Sequence, residues 1–323
     1  MCRRSVLVTG AGGFIGSVLV AALLRLGWDV AAVDQDSSRL NRLLRFSGTG
    51  NLHAFRVDIT SQADIADVVM RAKPTSIVHL AALHLIPVCE AQPRQTVEVN
   101  IGGLVNVLDA ADRSRTEFVL FASSADVYAA SADPAAEGDQ ARPSTMYGIT
   151  KLIGERLVSE WADGQPGRRA TNMRIFNVYG SGDGNPHVIP DILRHLQQGD
   201  EIRVGNVEAS RDFIHVDDLV DLLCLVLESS APPALLNAGT GSATKVSAVL
   251  DMIQDLVGRP LTLVSDSARV RANDRICLRA DTSQLRSLFP GYDPRHIETG
   301  LRDILTAKGA PLGRLRHSKA GLA

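Results

Sequence analysis

Through the first half of the chain, short runs rich in β-branched residues alternate with longer segments whose apolar side chains recur at helical spacing. The runs predict strands over 5–9, 30–33, 53–57, 76–80, 118–122 and 172–175. The segments between them predict helices with readable ends. Gly27 closes the first after Leu26, and Ser61-Gln62-Ala63-Asp64 resembles an N-terminal cap ahead of Ile65, Val68 and Val69. Strand and helix in turn, repeated, is the pattern of a parallel sheet covered by helices on both faces, a doubly wound α/β fold. After Asn177 the alternation fails, and Gly180, Gly182, Gly184 and Pro186 mark a loop into a less regular region. Within it, 216–228 and 235–239 again read as helix and strand that rejoin the main sheet. The expected organisation is therefore one sheet domain over 1–176, to which 215–240 returns. A smaller α/β lobe for substrate comes from 177–214 and 241–310. The tail from Lys308 to Ala323 lacks periodicity, and 311–323 is expected to be a disordered end.

Composition narrows the class without naming it. The 323 residues are 45% hydrophobic and 22% charged with a formal net charge of -2, which suits a globular core. Such a balance provides no whole-protein field for nucleic acid or an anionic membrane. Cys2, Cys89, Cys224 and Cys277 are scattered, with no metal-ligand spacing, so reduced thiols in a cytoplasmic enzyme are expected and a metal site is not. Met1-Cys2-Arg3-Arg4 and the apolar residues after it faintly imitate a signal peptide, but Gly10, Gly12, Gly13 and Gly16 break the run at once. No later stretch approaches the roughly 20 apolar residues that span a bilayer.

Gly10, Gly13 and Gly16 then carry chemistry. Their spacing allows a sharp turn, brings backbone N–H groups against a pyrophosphate and opens a helix through Phe14 and Ile15, where the N-terminal dipole favours an anion. A strand precedes them, and Asp34 ends the next strand 18 residues after Gly16. A carboxylate there accepts from both ribose hydroxyls and repels a 2′-phosphate, so the cofactor expected is NAD. Asp58 and Ile59 after the third strand, and Leu80, Ala81 and Ala82 after the fourth, lie where adenine and ribose would rest. Asp58 also suits a turn.

Tyr147 and Lys151 stand four apart, which on a helix puts both side chains on one face. An ammonium beside a phenol, helped by an oxidised nicotinamide, favours the phenolate, and a phenolate can take a proton from a sugar hydroxyl as hydride leaves the carbon. Ser124 ends an apolar strand at the sheet edge where open α/β folds bind ligands, and can hydrogen-bond the reacting oxygen.

Thr9-Gly10-x-x-Gly13-x-x-Gly16, Ser124, Tyr147-x-x-x-Lys151, Asn100 in Val97-Glu98-Val99-Asn100, and Arg174-Ile175-Phe176-Asn177-Val178-Tyr179-Gly180 together resemble the extended short-chain dehydrogenase/reductase family, the nucleotide-sugar epimerases and dehydratases with a Rossmann fold. The likeness spans about residues 4–306. It implies that Asn100 belongs to the cofactor site and that Asn177 and Val188 bind a nucleotide sugar, most simply a UDP-sugar. It further implies that Arg211 and Arg271 clamp the diphosphate, with Asp274 beside Arg271, and that the chain pairs as a homodimer. Guanidinium forks suit a diphosphate. The resembling 4,6-dehydratases have Thr-Asp-Glu where this chain has Ser124-Ala125-Asp126. Ala125 cannot donate a proton, and Asp126 is either a base of shorter reach or a loop carboxylate. A 4-epimerase needs no further acid or base, so that activity leads, with a dehydratase using Asp126 second and a keto-sugar reductase third. His84 departs from the commoner pattern and either contacts the sugar or lines the entrance. Cys89 reads as a small buried residue rather than a nucleophile.

Overall fold

The computed structural model describes residues 4–46, 51–265 and 276–308. Its first half contains β1 (Ser5–Thr9), α1 (Phe14–Arg25), β2 (Asp29–Asp34), α2 (Ser37–Leu43), β3 (Leu52–Arg56), α3 (Gln62–Ala72), β4 (Ser76–His79), α4 (Ile86–Ala91), α5 (Pro93–Val97), α6 (Gly103–Asp112), β5 (Phe118–Ser124), α7 (Met146–Asp163) and β6 (Arg169–Ile175). The second half contains β7 (Asn177–Tyr179), α8 (Val188–Gln198), β8 (Glu201–Val204), β9 (Ser210–His215), α9 (Val216–Glu228), β10 (Leu235–Ala238), β11 (Ala243–Lys245), α10 (Val246–Val257), β12 (Thr262–Ser265), β13 (Cys277–Leu278), α11 (Ser283–Leu288) and α12 (Ile297–Ala307).

Seven parallel strands form the main sheet in the order β10-β6-β5-β4-β1-β2-β3. Alternate side chains of β1 show why both faces are covered. Val6 and Val8 join a core with α1 and α9, whereas Leu7 joins a second core with α3 and α6. β10 pairs in parallel with β6, so the chain returns to this sheet after its excursion through α8, β8 and β9. The excursion has its own core, where Ile189, Ile192 and Leu193 of α8 meet Val249 and Ile253 of α10 and Leu301 and Ile304 of α12. Asp212 of β9 ties the regions together. Its buried carboxylate accepts from Thr240 N (2.8 Å), Thr240 Oγ1 (2.7 Å), Gly241 N (2.9 Å) and Ala280 N (3.1 Å).

Two local differences from the sequence expectation have physical causes. β5 continues past Ala122 through Ser123 and Ser124, paired with Arg174 and Ile175 of β6. Ser123 and Arg174 tolerate burial in this ladder because Glu155 of α7 satisfies them. It accepts from Ser123 Oγ (2.5 Å) and takes two bonds from Arg174, at 2.9 and 2.8 Å. Ser61 does precede α3, but its hydroxyl donates to Asp64 Oδ2 at 2.7 Å instead of accepting from the helix backbone. Residues 309–323, including the tail expected to be disordered, lie outside the described residues. Among the described residues no helix is long and apolar enough to cross a membrane, and no group of side chains could hold a metal ion.

Candidate active site

The C-terminal edge of the main sheet and the region of α8 enclose a cleft of about 760 Å³, within the usual size for a cofactor and ligand site. At one end the backbone makes the shape. Gly10 has φ +68, and Gly13 N donates to Gly10 O at 3.0 Å. A Cβ on Gly16 would lie 2.2 Å from Gly10 O, so nothing larger than glycine lets α1 start this close to β1. Phe14, Ile15, Ile59, Leu80, Ala81 and Ala82 line the same end with Gly10, Gly13 and Gly16.

Asp34 ends β2, buried, with Gly12 N donating to its Oδ2 and Asp36 N to its Oδ1, both at 3.0 Å. Asp58 borders the cleft but is held in a turn, where Thr60 N (3.0 Å) and Thr60 Oγ1 (2.9 Å) donate to its Oδ1. A tight glycine turn, an open helix N-terminus and a carboxylate at the next strand end fit NAD. Asn100, expected among the cofactor residues, is turned elsewhere. Its Oδ1 accepts from Leu83 N (2.8 Å), and its Nδ2 donates to Leu83 O (2.9 Å) and Thr150 Oγ1 (3.0 Å). It clamps the loop after β4 onto α7 and does not border the cleft.

Ser124, Tyr147 and Lys151 meet at the middle of the cleft. Thr145 caps α7 by accepting from Gly148 N at 3.0 Å, which sets Tyr147 in the first turn. Gly148 permits the approach to β5, because a Cβ there would stand 2.5 Å from Asp126 O. Lys151 Nζ donates to Ala122 O at 2.7 Å and lies 5.6 Å from the centre of the Tyr147 ring. The Ser124 hydroxyl accepts from Asp126 N at 3.1 Å and favours the ionised form of the Tyr147 phenol.

The electrostatics differ from the expectation that Lys151 itself makes the phenol acidic. Burial, with the Asp126 charge behind it, pushes the Tyr147 phenol well above its ordinary range, and the bond from Ser124 only opposes this. Burial likewise lowers Lys151 to about 8. The ammonium spends a hydrogen bond on Ala122 O and faces the phenol ring, so desolvation outweighs it.

Beyond this point His84, Asp126, Asn177, Val188 and Arg211 border the cleft. Arg211 Nη1 donates to Ser210 O at 2.9 Å. Arg271 and Asp274, expected as a second phosphate clamp and its neighbour, lie outside the described residues. Cys89 is fully buried with Sγ 3.5 Å from Leu83 O, and burial raises its thiol above the usual range. Gln35, Arg39, Asn185, His187 and Arg194 also border the cleft and were not expected. Asn185 and His187 fall in the glycine- and proline-rich loop before α8. Such loops carry no periodicity, and only the location of that loop beside the predicted substrate lobe hinted at them.

Comparison with known proteins agrees with this geometry. The profile of the "NAD dependent epimerase/dehydratase family" matches residues 6–239. A UDP-glucose 4-epimerase of Corynebacterium glutamicum is 30% identical over 322 residues, covering 93% of each chain. A GDP-6-deoxy-D-mannose reductase of Pseudomonas aeruginosa is 27% identical, covering 93% of this chain and 95% of that protein. The solved structure of MoeE5 in complex with UDP-glucuronic acid and NAD superposes with a TM-score of 0.84 at 31% identity, covering 94% of this chain and 99% of that one. A match over most of the chain, a shared Rossmann architecture and a cleft shaped for a dinucleotide place this chain in the NAD dependent epimerase/dehydratase family.

Proposed function

We propose that the protein is an NAD-dependent 4-epimerase of a UDP-hexose, with Tyr147 as acid and base, Ser124 on the C4 oxygen and Lys151 beside the phenol. The observation that carries the reading is the convergence of these three side chains at the middle of a cleft whose other end has the glycine turn and Asp34. The names of the relatives support a UDP-sugar as substrate. Gly10, Gly13, Gly16 and Asp34 would hold NAD, which would supply a hydride acceptor for the sugar carbon and a positive charge.

The chain's own groups do the rest. Without a ligand, burial and Asp126 keep the phenol protonated. Added positive charge next to Lys151 lowers the cost of the phenolate, which then removes the C4 hydroxyl proton. Ser124 holds that oxygen as it becomes a carbonyl. The 4-ketose turns in the cleft, and the phenol returns the proton when the other face is reduced. Arg211 is placed to hold the diphosphate during the turn.

Asp126 supports a second reading. It sits beside Ser124, with Ser124 Oγ 3.5 Å from its Oδ2, where a base for loss of water would stand. A keto-sugar reductase is disfavoured by Asp34, which suits NAD rather than NADP. Incubation of the purified protein with UDP-glucose, and separately with a nucleotide 4-keto sugar and NADPH, separates the three. A C4 epimer of unchanged mass is expected, whereas loss of water, or consumption of NADPH in step with turnover, would replace the reading.

The homodimer belongs to this proposal. Val97 (43% exposed), Val105 (38%), Ile149 (41%) and Ile153 (40%) lie on α5, α6 and α7, which pack together, and Ile149 and Ile153 share one face of α7. Sedimentation of an Ile149→Glu, Ile153→Glu variant is expected to show a monomer where the parent protein sediments as a dimer. Cys89, Cys224 and Cys277 are all free thiols, which suits the cytoplasm.

A further inference from the structure

Two imidazoles at the sugar end of the cleft have no part in the steps above. His84, from the loop after β4, and His187, from the loop before α8, stand edge to face with ring centroids 5.8 Å apart. Both border the cleft, and His187 keeps 38% of its side chain exposed. His187 is fixed from behind. Its Nδ1 lies 3.3 Å from Oδ2 of Asp183, whose fully enclosed carboxylate also accepts from Asn185 N (3.0 Å) and Asn185 Nδ2 (2.8 Å). That carboxylate therefore sets the Nδ1–H tautomer and leaves Nε2 for a ligand.

We propose that His84 and His187 form a carboxylate subsite, and that the preferred substrate is a UDP-hexuronate whose sugar carboxylate they hold. The proposal rests on the UDP-hexose reading above and narrows its substrate class.

The local charge favours an anion. Burial, and after it the like charges of His187 and of Lys151 of α7, hold the His84 imidazolium form down, against the Asn185 side chain and the Ala82 backbone. Asp183 is already engaged by His187 and Asn185. Asp126 stands by Ser124, and its charge acts on the Tyr147 phenol. Of the three guanidinium groups that border the cleft among the described residues, that of Arg39 is paired with Asp36 at 3.3 Å, that of Arg194 with Asp191 at 2.6 Å, and Arg211 is assigned to the diphosphate. A neutral hexose brings only dipoles to the two rings. A carboxylate pairs with the Nε2–H that His187 presents when its ring carries both protons, and offsets the like-charge repulsion among His84, His187 and Lys151. Its binding must raise the histidine affinity for protons, so the preference for an acidic sugar grows as pH falls.

Calorimetric titration of the NAD-loaded protein with UDP-glucuronate and UDP-glucose at pH 6 and pH 8 tests this. UDP-glucuronate is expected to bind about tenfold more tightly at pH 6, with a smaller advantage at pH 8, as one charge-assisted hydrogen bond provides. His84→Asn and His187→Gln are each expected to weaken UDP-glucuronate about tenfold more than UDP-glucose. Equal affinities at pH 6, or a preference that rises with pH, would overturn the subsite. Turnover assays distinguish the two levels. Epimerisation of UDP-glucose without a preference for the uronate leaves the epimerase and removes the subsite, whereas uronate-selective binding without epimerisation of either sugar does the reverse.

Discussion

The two ends of the cleft are built by different means. At the cofactor end the backbone itself is the site. Gly10, Gly13 and Gly16 form one continuous strand–turn–helix unit, and a single carboxylate, Asp34, braces it through Gly12 N. At the sugar end the site is made of side chains brought from separate segments: His84 after β4, Asp126 after β5, His187 before α8 and Arg211 in β9. A backbone-defined site tolerates almost no change in shape but is encoded locally. A side-chain-defined site depends on distant packing and is open to change in specificity.

The substitution with the largest expected effect falls where the ends join. Tyr147→Phe removes the only group assigned to carry the proton, and kcat is expected to drop about 10²–10⁴-fold with the fold intact by circular dichroism. Residual turnover near the parent rate would detach the catalytic centre from this cleft. Next comes the support beneath that centre. Glu155→Ala strands the buried Arg174, whose guanidinium also stacks 4.6 Å from the Tyr128 ring centre, and should cost about 3–5 kcal/mol in urea unfolding. Loss of less than about 1 kcal/mol would mean that the pair does not hold β6 against α7.

Gly16→Ala probes the backbone end alone. Its methyl group would meet Gly10 O at 2.2 Å, so a cost of about 1–3 kcal/mol and loss of measurable NAD binding are expected. If the variant binds NAD as the parent does, the glycine turn is not the pyrophosphate seat.

The smallest effect sharpens the contrast through pH. Lys151 is buried and held at about 8, below its ordinary 10.5. Between these values the unfolded chain keeps a proton that the folded chain has released. The burden of this group on stability is thus full below about 8 and fades as pH rises toward 10.5. Lys151→Met should therefore stabilise the ligand-free protein at pH 7 by on the order of 1–3 kcal/mol while abolishing turnover, and this gain should shrink toward pH 10. A destabilised variant would show that the bond to Ala122 O outweighs the desolvation.

The same contrast explains what could be read from the sequence. The sheet was legible because β1, β2, β4 and β5 are apolar runs bounded by turn residues. The dinucleotide turn was legible because three glycines, a strand and Asp34 lie within 30–40 residues, about one βαβ unit. Tyr147 and Lys151 were legible because helix geometry alone brings them together. Asn185 and His187 were not, because a loop has no period and its side chains find the cleft only through the packing of α8 against α10 and α12. Asn100 is a related case. Its place in the chain fits the cofactor region, but its amide is committed to Leu83 and Thr150. The burial that opposes ionisation of Tyr147 in the ligand-free protein was not legible, because spacing shows the neighbouring ammonium and not the desolvation.

The central claim is that Tyr147 starts a reversible oxidation at C4 of a UDP-hexose. Its most direct test is incubation of the purified protein with UDP-glucose and with UDP-glucuronate in D₂O, with products followed by proton NMR and mass spectrometry. The account predicts the C4 epimer, with unchanged mass and no deuterium on carbon, and no product from the Tyr147→Phe variant. A product lighter by one water, solvent deuterium on the ring, or full activity in the variant would contradict it.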